Sequence, residues 1–245
     1  MIETILFDLD GTLVDDGPNW RRSVSRTLDA VCSRHGGVDR EQVQKTYYVV
    51  AGEVWDEIGA AEAPPWGNMD EGGIVRRVWA ETLRRVGVGA PDTVEEAAAG
   101  YLAHRSAEAV PFADARECLE RLKPLFKLGV ITNAEAAVQV PKLESAGLRP
   151  YFAEIVTTDC GYGKPGAEIF HHALDRLGCP AARAVYVGDS LRWDIGGANG
   201  AGLLSVWIKR KGERRGGADP VPAMEFESLA GLPAWLGNGA CRQES

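Results

Sequence analysis

Asp8 and Asp10 close an apolar run in ILFDLDGTLVDD, residues 5 to 16. Side chains alternate along an extended backbone, so both carboxylates face one way if that conformation continues through Leu9. Two carboxylates held close repel, and such a pair persists only with a cation beside it or a proton on one member. Asp189 and Asp194, in GDSLRWD, follow another apolar run and bring four acids toward one edge. A hard divalent cation with oxygen ligands, Mg²⁺, answers that arrangement. Lys164, in GKPGAEIF, is its opposite pole. An ammonium there keeps a nucleophilic carboxylate ionised and neutralises a bound anion such as a phosphoryl group. Thr132, in VITNA, adds a hydroxyl and the backbone N–H groups of a strand-to-helix turn. Taken singly, a DGT triplet is an ordinary turn, a Thr after a strand is a helix cap and GKP is a loop. Delivered together to one end of one sheet, they describe phosphoryl transfer.

The elements that must position these groups can be read from the apolar pattern. Near-continuous runs at Thr4–Phe7, Leu128–Ile131, Glu154–Thr157 and Ala184–Val187, with a fifth at Leu203–Ile208, predict the strands of a parallel sheet. Helical patterns lie between them at Arg116–Leu125, Ala136–Ala146, Ala167–Leu177 and Leu191–Ala201. That alternation predicts an α/β fold with right-handed crossovers and a doubly wound, Rossmann-like parallel sheet. Ligands of such sheets bind beyond the carboxyl ends of the strands, where the acids stand. The first strand breaks the rhythm, because roughly a hundred mostly helical residues precede the second. Trp20, Val24, Leu28 and Val31 recur at helical spacing, as do Val75, Val78, Trp79, Leu83 and Val86, and Asp92–Arg105 is opened by Pro91. Residues 16–108 therefore read as an inserted α-helical domain, and 1–15 with 109–245 as the core. Gly59–Gly73, with Pro64, Pro65 and Trp66, reads as a loop.

Composition removes other classes. The 245 residues are 45% hydrophobic and 25% charged, as in soluble globular proteins. A net charge of -8 argues against tracking a nucleic-acid backbone. Met1 leads straight into strand-like residues, without a leader or a membrane-length apolar window, and the expected location is cytoplasmic. Five scattered cysteines form no CxxC pair, and the adjacent His171 and His172 would make a poor chelate on a helix. The basic run Lys209–Gly217 reads as a solvated loop. Nothing in the sequence sets an oligomeric state.

In this order, the four chemical segments resemble the motifs of the haloacid dehalogenase (HAD) superfamily, chiefly its phosphatases with a helical cap inserted after the first strand. DxDGT stands as Asp8 to Thr12, the strand-ending Thr as Thr132, the Lys followed by Pro as Lys164, and GDSxxxD as Gly188 to Asp194. The resemblance implies that Asp8 attacks phosphorus to form an aspartyl-phosphate, and that Asp10 protonates the leaving oxygen and then deprotonates water. It implies Mg²⁺ held by the Asp8 carboxylate, the Asp10 backbone carbonyl and Asp189, with Asp194 in support, and phosphoryl oxygens gripped by Thr132, Asn133 and Lys164. Thr12 would tie down the turn. Asp16 departs from the Ser common at the hinge into the cap. The implied substrate is a small phosphorylated metabolite, with Trp20, Arg21, Tyr47, Tyr48 and Trp66 as cap contacts and cap movement about linkers near Asp16 and Ala109. Dehalogenases of the superfamily typically lack an equivalent of Asp10. A phosphonate hydrolase needs a cap lysine, for which Lys45 is the insert's only candidate. A phosphomutase uses the same two aspartates, whereas a non-catalytic binding protein would tolerate loss of Asp8, Asp10, Lys164 or Asp189.

Overall fold

Apolar residues on both sides of a strand demand cover on both faces, and β1 (Thr4–Phe7) is buried at every position. The computed structural model describes residues 1–60, 71–210 and 212–238. It sets β1 in a six-stranded sheet with β2 (Lys127–Ile131), β3 (Glu154–Val156), β4 (Ala184–Gly188), β5 (Leu204–Ile208) and β6 (Met224–Phe226), in the order β3-β2-β1-β4-β5-β6. All pairings are parallel. The order reverses beside β1, which opens a crevice between the carboxyl ends of β1 and β4.

Alternation along the strands divides the core in two. Ile5, Phe7, Val185 and Val187 pack on one face with Cys118, Leu119 and Leu122 of α5 (Ala115–Leu122). Leu6, Ala184 and Tyr186 pack on the other with Ile169, Phe170 and Leu174 of α7 (Ala167–Leu177). Gly178 in the left-handed region ends α7. The remaining core helices are α6 (Ala136–Ser145), α8 (Gly197–Gly200) and α9 (Leu232–Asn238).

Two compact units divide the chain: residues 1–16 with 109–245, and residues 17–108. The second is helical. Its helices α1 (Asp16–Arg34), α2 (Arg40–Ala60), α3 (Glu71–Arg85) and α4 (Pro91–Ala107) bury Val24, Leu28, Val43, Leu83 and an aromatic group in which Tyr47 lies 4.7 Å from Trp79. Pro91 starts α4, where its missing N–H costs nothing. Tyr47 is 4% exposed and belongs to this core, Trp20 meets Tyr48 in a tilted ring contact, and Arg21 is exposed.

Several expectations need correction. The anticipated loop 59–73 is helical at both ends, since α2 reaches Ala60 and α3 begins at Glu71; Pro64, Pro65 and Trp66 lie outside the described residues. The expected helix 191–201 is one π-helical turn, Leu191–Gly196, followed by the short α8. α5 stops at Leu122, three residues before the expected Leu125. β6 is a three-residue strand of half-buried side chains, too short to carry a periodic signal. Cys32, Cys118, Cys160 and Cys179 are free thiols, and Cys241 lies outside the described residues. Among the described residues, no helix is long and apolar enough to cross a membrane.

Candidate active site

β1 continues its ladder for one residue beyond the strand: Asp8 N–H donates to Val187 O at 2.9 Å, which brings the first acid alongside the end of β4. The chain then turns at Gly11, whose φ is +91°, a conformation that L side chains avoid. A Cβ there would lie 2.4 Å from Asp189 Oδ2, so the bare backbone also makes room for the neighbouring acid. Thr12 Oγ1 reaches Asp189 Oδ1 at 3.5 Å. After β4, the π-helical turn folds Asp194 back over Gly188, where a Cβ would lie 2.4 Å from Asp194 Cγ. Ser190 N–H donates to Asp194 Oδ2 at 2.9 Å and fixes that carboxylate.

Asp8, Asp189 and Asp194 converge, with one carboxylate oxygen from each lying within 4.8 Å of the others. Lys164 faces them from the loop after β3. Its Nζ donates at 2.6 Å to Asp8 Oδ1, at 2.6 Å to Asp194 Oδ1 and at 3.0 Å to Tyr186 Oη. Burial pushes the Asp8 carboxyl up, against the pull of Lys164 and with help from Asp194, to about 7. Burial alone would lower the Lys164 ammonium, but Asp194 and Asp8 outweigh it and hold the group above its ordinary value. Asp8 Oδ2 is buried without a hydrogen-bond partner. An orphaned carboxylate oxygen beside two further carboxylates is the donor set a hard divalent cation takes, so the residues fit that group.

Asp10 stands apart from this cluster. Its carboxylate accepts from Lys142 Nζ at 2.8 and 2.9 Å and from Gln139 Nε2 at 2.8 Å. Gln139 Nε2 also donates to Thr132 Oγ1 at 2.9 Å, which links Asp10 to the end of β2. Asn133 grips protein instead of standing open: its Nδ2 donates to Lys164 O at 2.9 Å, and its Oδ1 accepts from Lys164 N–H at 2.7 Å. Asn133, which the resemblance assigns to phosphoryl oxygens, commits its side chain to holding the lysine loop in place. Lys142 and Gln139 were missed by sequence reading, although two polar residues on the buried face of α6, beside Val138 and Leu143, are an anomaly visible in the pattern. Arg210, expected in a solvated loop, has a side chain only 13% exposed; it pairs with both oxygens of Asp114 and donates to Thr12 O at 2.9 Å. It ties the end of β5 to the turn behind Asp10.

Gly11→Ala is expected to destabilise the fold by about 1–3 kcal/mol, the cost of strain at a positive φ, and, by displacing Asp189, to weaken at least about tenfold any binding of a divalent cation at the three acids. Thermal melting and calorimetric titration with Mg²⁺ check this, and unchanged affinity would remove Asp189 from any metal site.

Comparison with known proteins adds four findings. The sequence profile of the haloacid dehalogenase-like hydrolases matches residues 2–202. Glyceraldehyde 3-phosphate phosphatase of Methanopyrus kandleri is 32% identical over 213 residues, covering 86% of this chain and 85% of its own. Among solved structures, magnesium-bound HAD-hydrolase YfnB of Bacillus subtilis superposes with a TM-score of 0.76 at 22% identity, over 96% of this chain and 98% of that one. The 2-haloacid dehalogenase of Pseudomonas syringae superposes with a TM-score of 0.71 at 29% identity, over 97% and 99%.

Proposed function

The chain belongs to the haloacid dehalogenase-like hydrolases, and from that premise we propose that it is a Mg²⁺-dependent phosphatase, which moves a phosphoryl group from a small phosphorylated metabolite to Asp8 and then to water. One observation carries this reading: a buried carboxylate with an orphaned oxygen, Asp8, faces one ammonium and two further acids at the sheet's switch point. Asp8, Asp189 and Asp194 would hold the ion, together with the backbone carbonyl of Asp10. When bound, Mg²⁺ supplies the positive charge that lets an anionic nucleophile approach an anionic phosphate. The chain's own groups do the rest. Asp8 Oδ2 forms a bond to phosphorus while the ester P–O bond breaks, and the leaving oxygen takes a proton from Asp10. Water then gives a proton to Asp10 and attacks phosphorus, the Asp8–phosphorus bond breaks, and inorganic phosphate leaves. Lys164 and the Thr132 hydroxyl oppose the charge on the phosphoryl oxygens.

The fold is shared with a 2-haloacid dehalogenase, so carbon–halogen cleavage is the rival. It needs a carboxylate nucleophile but no second acid, whereas here Asp10 is held by two side chains at the edge of the site. Phosphonate hydrolysis draws no support from Lys45, which is 74% exposed and paired with Glu41. The test is phosphate release from p-nitrophenyl phosphate, glyceraldehyde 3-phosphate, other sugar phosphates, nucleotides, phosphoglycolate and pyrophosphate, with Mg²⁺ and after chelation. Release with Mg²⁺, lost on chelation and restored by adding it back, is the expected result. Chloride from 2-chloropropionate with no phosphate from any ester would establish the rival, and transfer without release would establish a mutase.

A further inference from the structure

We propose that Lys142 and Gln139 are positioning residues for Asp10, holding its carboxylate in the orientation from which it exchanges a proton with the leaving oxygen and with water. This inference rests on the phosphatase reading and names two side chains that act through its acid–base group. Lys142 is fully enclosed, with no exposed side-chain surface, while the Asp10 side chain to which it points is 25% exposed. A buried ammonium is tolerated only when paired, and a half-open carboxylate could be served by water instead. The lysine is therefore the member that needs an explanation, and its partner is the acid expected to move protons. Lys142 Nζ spans both Asp10 oxygens, at 2.8 and 2.9 Å, and Gln139 adds a third contact at 2.8 Å on Oδ2. Three contacts on two oxygens fix the plane of the carboxylate as well as its position.

Both holders come from one face of α6, and Gln139 shares its amide nitrogen with Thr132 Oγ1 at 2.9 Å. The geometry couples the proton-moving group after β1 to the hydroxyl after β2. The only other charged group ion-paired with Lys142 among the described residues is Asp16, with Oδ1 at 3.9 Å. Asp10 is the closer by more than an ångström and takes the ammonium on both oxygens.

A positioning role separates from a structural one through the leaving group. A nitrophenolate departs without a proton, whereas an alkoxide must receive one, so loss of a well-placed acid affects alkyl esters selectively. Lys142→Met and Gln139→Leu in the full chain, with Mg²⁺, would be assayed on p-nitrophenyl phosphate and glycerol 3-phosphate. Because kcat/KM reports the first phosphoryl transfer, Lys142→Met is expected to lower it about 10²–10³-fold on the alkyl ester and less than about tenfold on the aryl ester. Gln139→Leu should show the same selectivity at about tenfold. Equal losses on both esters, or no loss on either, would overturn the proposal. If Lys142→Met does not fold, Gln139→Leu decides by the same ratio. A wild-type protein that releases phosphate from no ester of the panel above overturns the phosphatase reading itself, an outcome visible before any variant is made; where glycerol 3-phosphate is not turned over, the alkyl ester of that panel with the highest kcat/KM takes its place.

Discussion

Asp8→Asn is expected to lower metal-dependent phosphate release at least about 10⁴-fold, the scale on which removal of a covalent nucleophile acts. The carboxamide keeps the shape of the side chain and can still accept from Lys164, but it cannot donate a lone pair from an anionic oxygen to phosphorus. The same change should stabilise the metal-free protein. Asp8 and Asp194 both lie 2.6 Å from the single Lys164 ammonium, so two carboxylates share one positive charge in an enclosed place. Burial and Asp194 push the Asp8 carboxyl from an ordinary 3.8 to about 7. The folded chain therefore takes up a proton at Asp8 more readily than the unfolded chain. The favourable contribution of this group is complete below pH 3.8 and is lost as pH climbs towards about 7. Above that range the native protein carries the full cost of the buried anion, and the variant does not. At pH 8 without metal, Asp8→Asn should melt roughly 2–6 °C above the wild type, about 1–2 kcal/mol, with the gap closing toward pH 4. Residual activity above about 1% would exclude covalent catalysis at Asp8, and a lower melting temperature at pH 8 would exclude mutual repulsion as the governing term.

What could be read from the chain and what could not follows from the range over which each feature is encoded. β1, β4 and, beyond its exposed first residue Lys127, β2 are buried on both faces, so they read as near-continuous apolar runs in a single sequence. The acids and the lysine were legible for the same reason: each stands within eight residues of a strand end, and a parallel sheet collects those ends on one edge. β6 was not legible, because three half-buried residues have no periodicity. The π-helical turn was not either, since it exists to fold Asp194 over Gly188, and that contact depends on a glycine whose role is visible only in space. Asn133 illustrates a different limit. Its residue type suits a phosphate or a backbone equally well, and only the geometry shows both ends of its amide committed to Lys164. Lys142 meets Asp10 across 132 residues, a pairing no local pattern encodes. Arg210 reaches Thr12 across 198 residues and was hidden in a run of positive charge that otherwise looks solvated.

Lys164 is where charge and stability meet most directly, and its removal should be costly to both. Lys164→Met keeps most of the side chain's volume but takes the ammonium from between Asp8 and Asp194, whose side chains are 9% and 2% exposed. Breaking a buried ion pair from one side leaves an uncompensated charge and typically costs about 3–5 kcal/mol. The Tyr186 hydroxyl, which sits 3.0 Å from both Lys164 Nζ and Asp194 Oδ1, cannot replace it, because it can donate only one proton. Lys164→Arg should rescue little, since a planar guanidinium does not fit a site that is 3% exposed and shaped around a point charge. Mg²⁺ offers a different remedy. A cation at the three acids lowers their mutual repulsion, so it should raise the melting temperature of Lys164→Met by more than that of the wild type. Activity should still fall about 10²–10³-fold, because the charge that faces the phosphoryl oxygens is gone. The decisive measurement is a cycle with Asp8→Asn. With one carboxylate already neutral, Lys164→Met should cost less by about 1–3 kcal/mol than in the wild type. Additive costs would mean that Lys164 stabilises the protein through its packing alone and that no charge balance couples β1, β4 and the lysine loop.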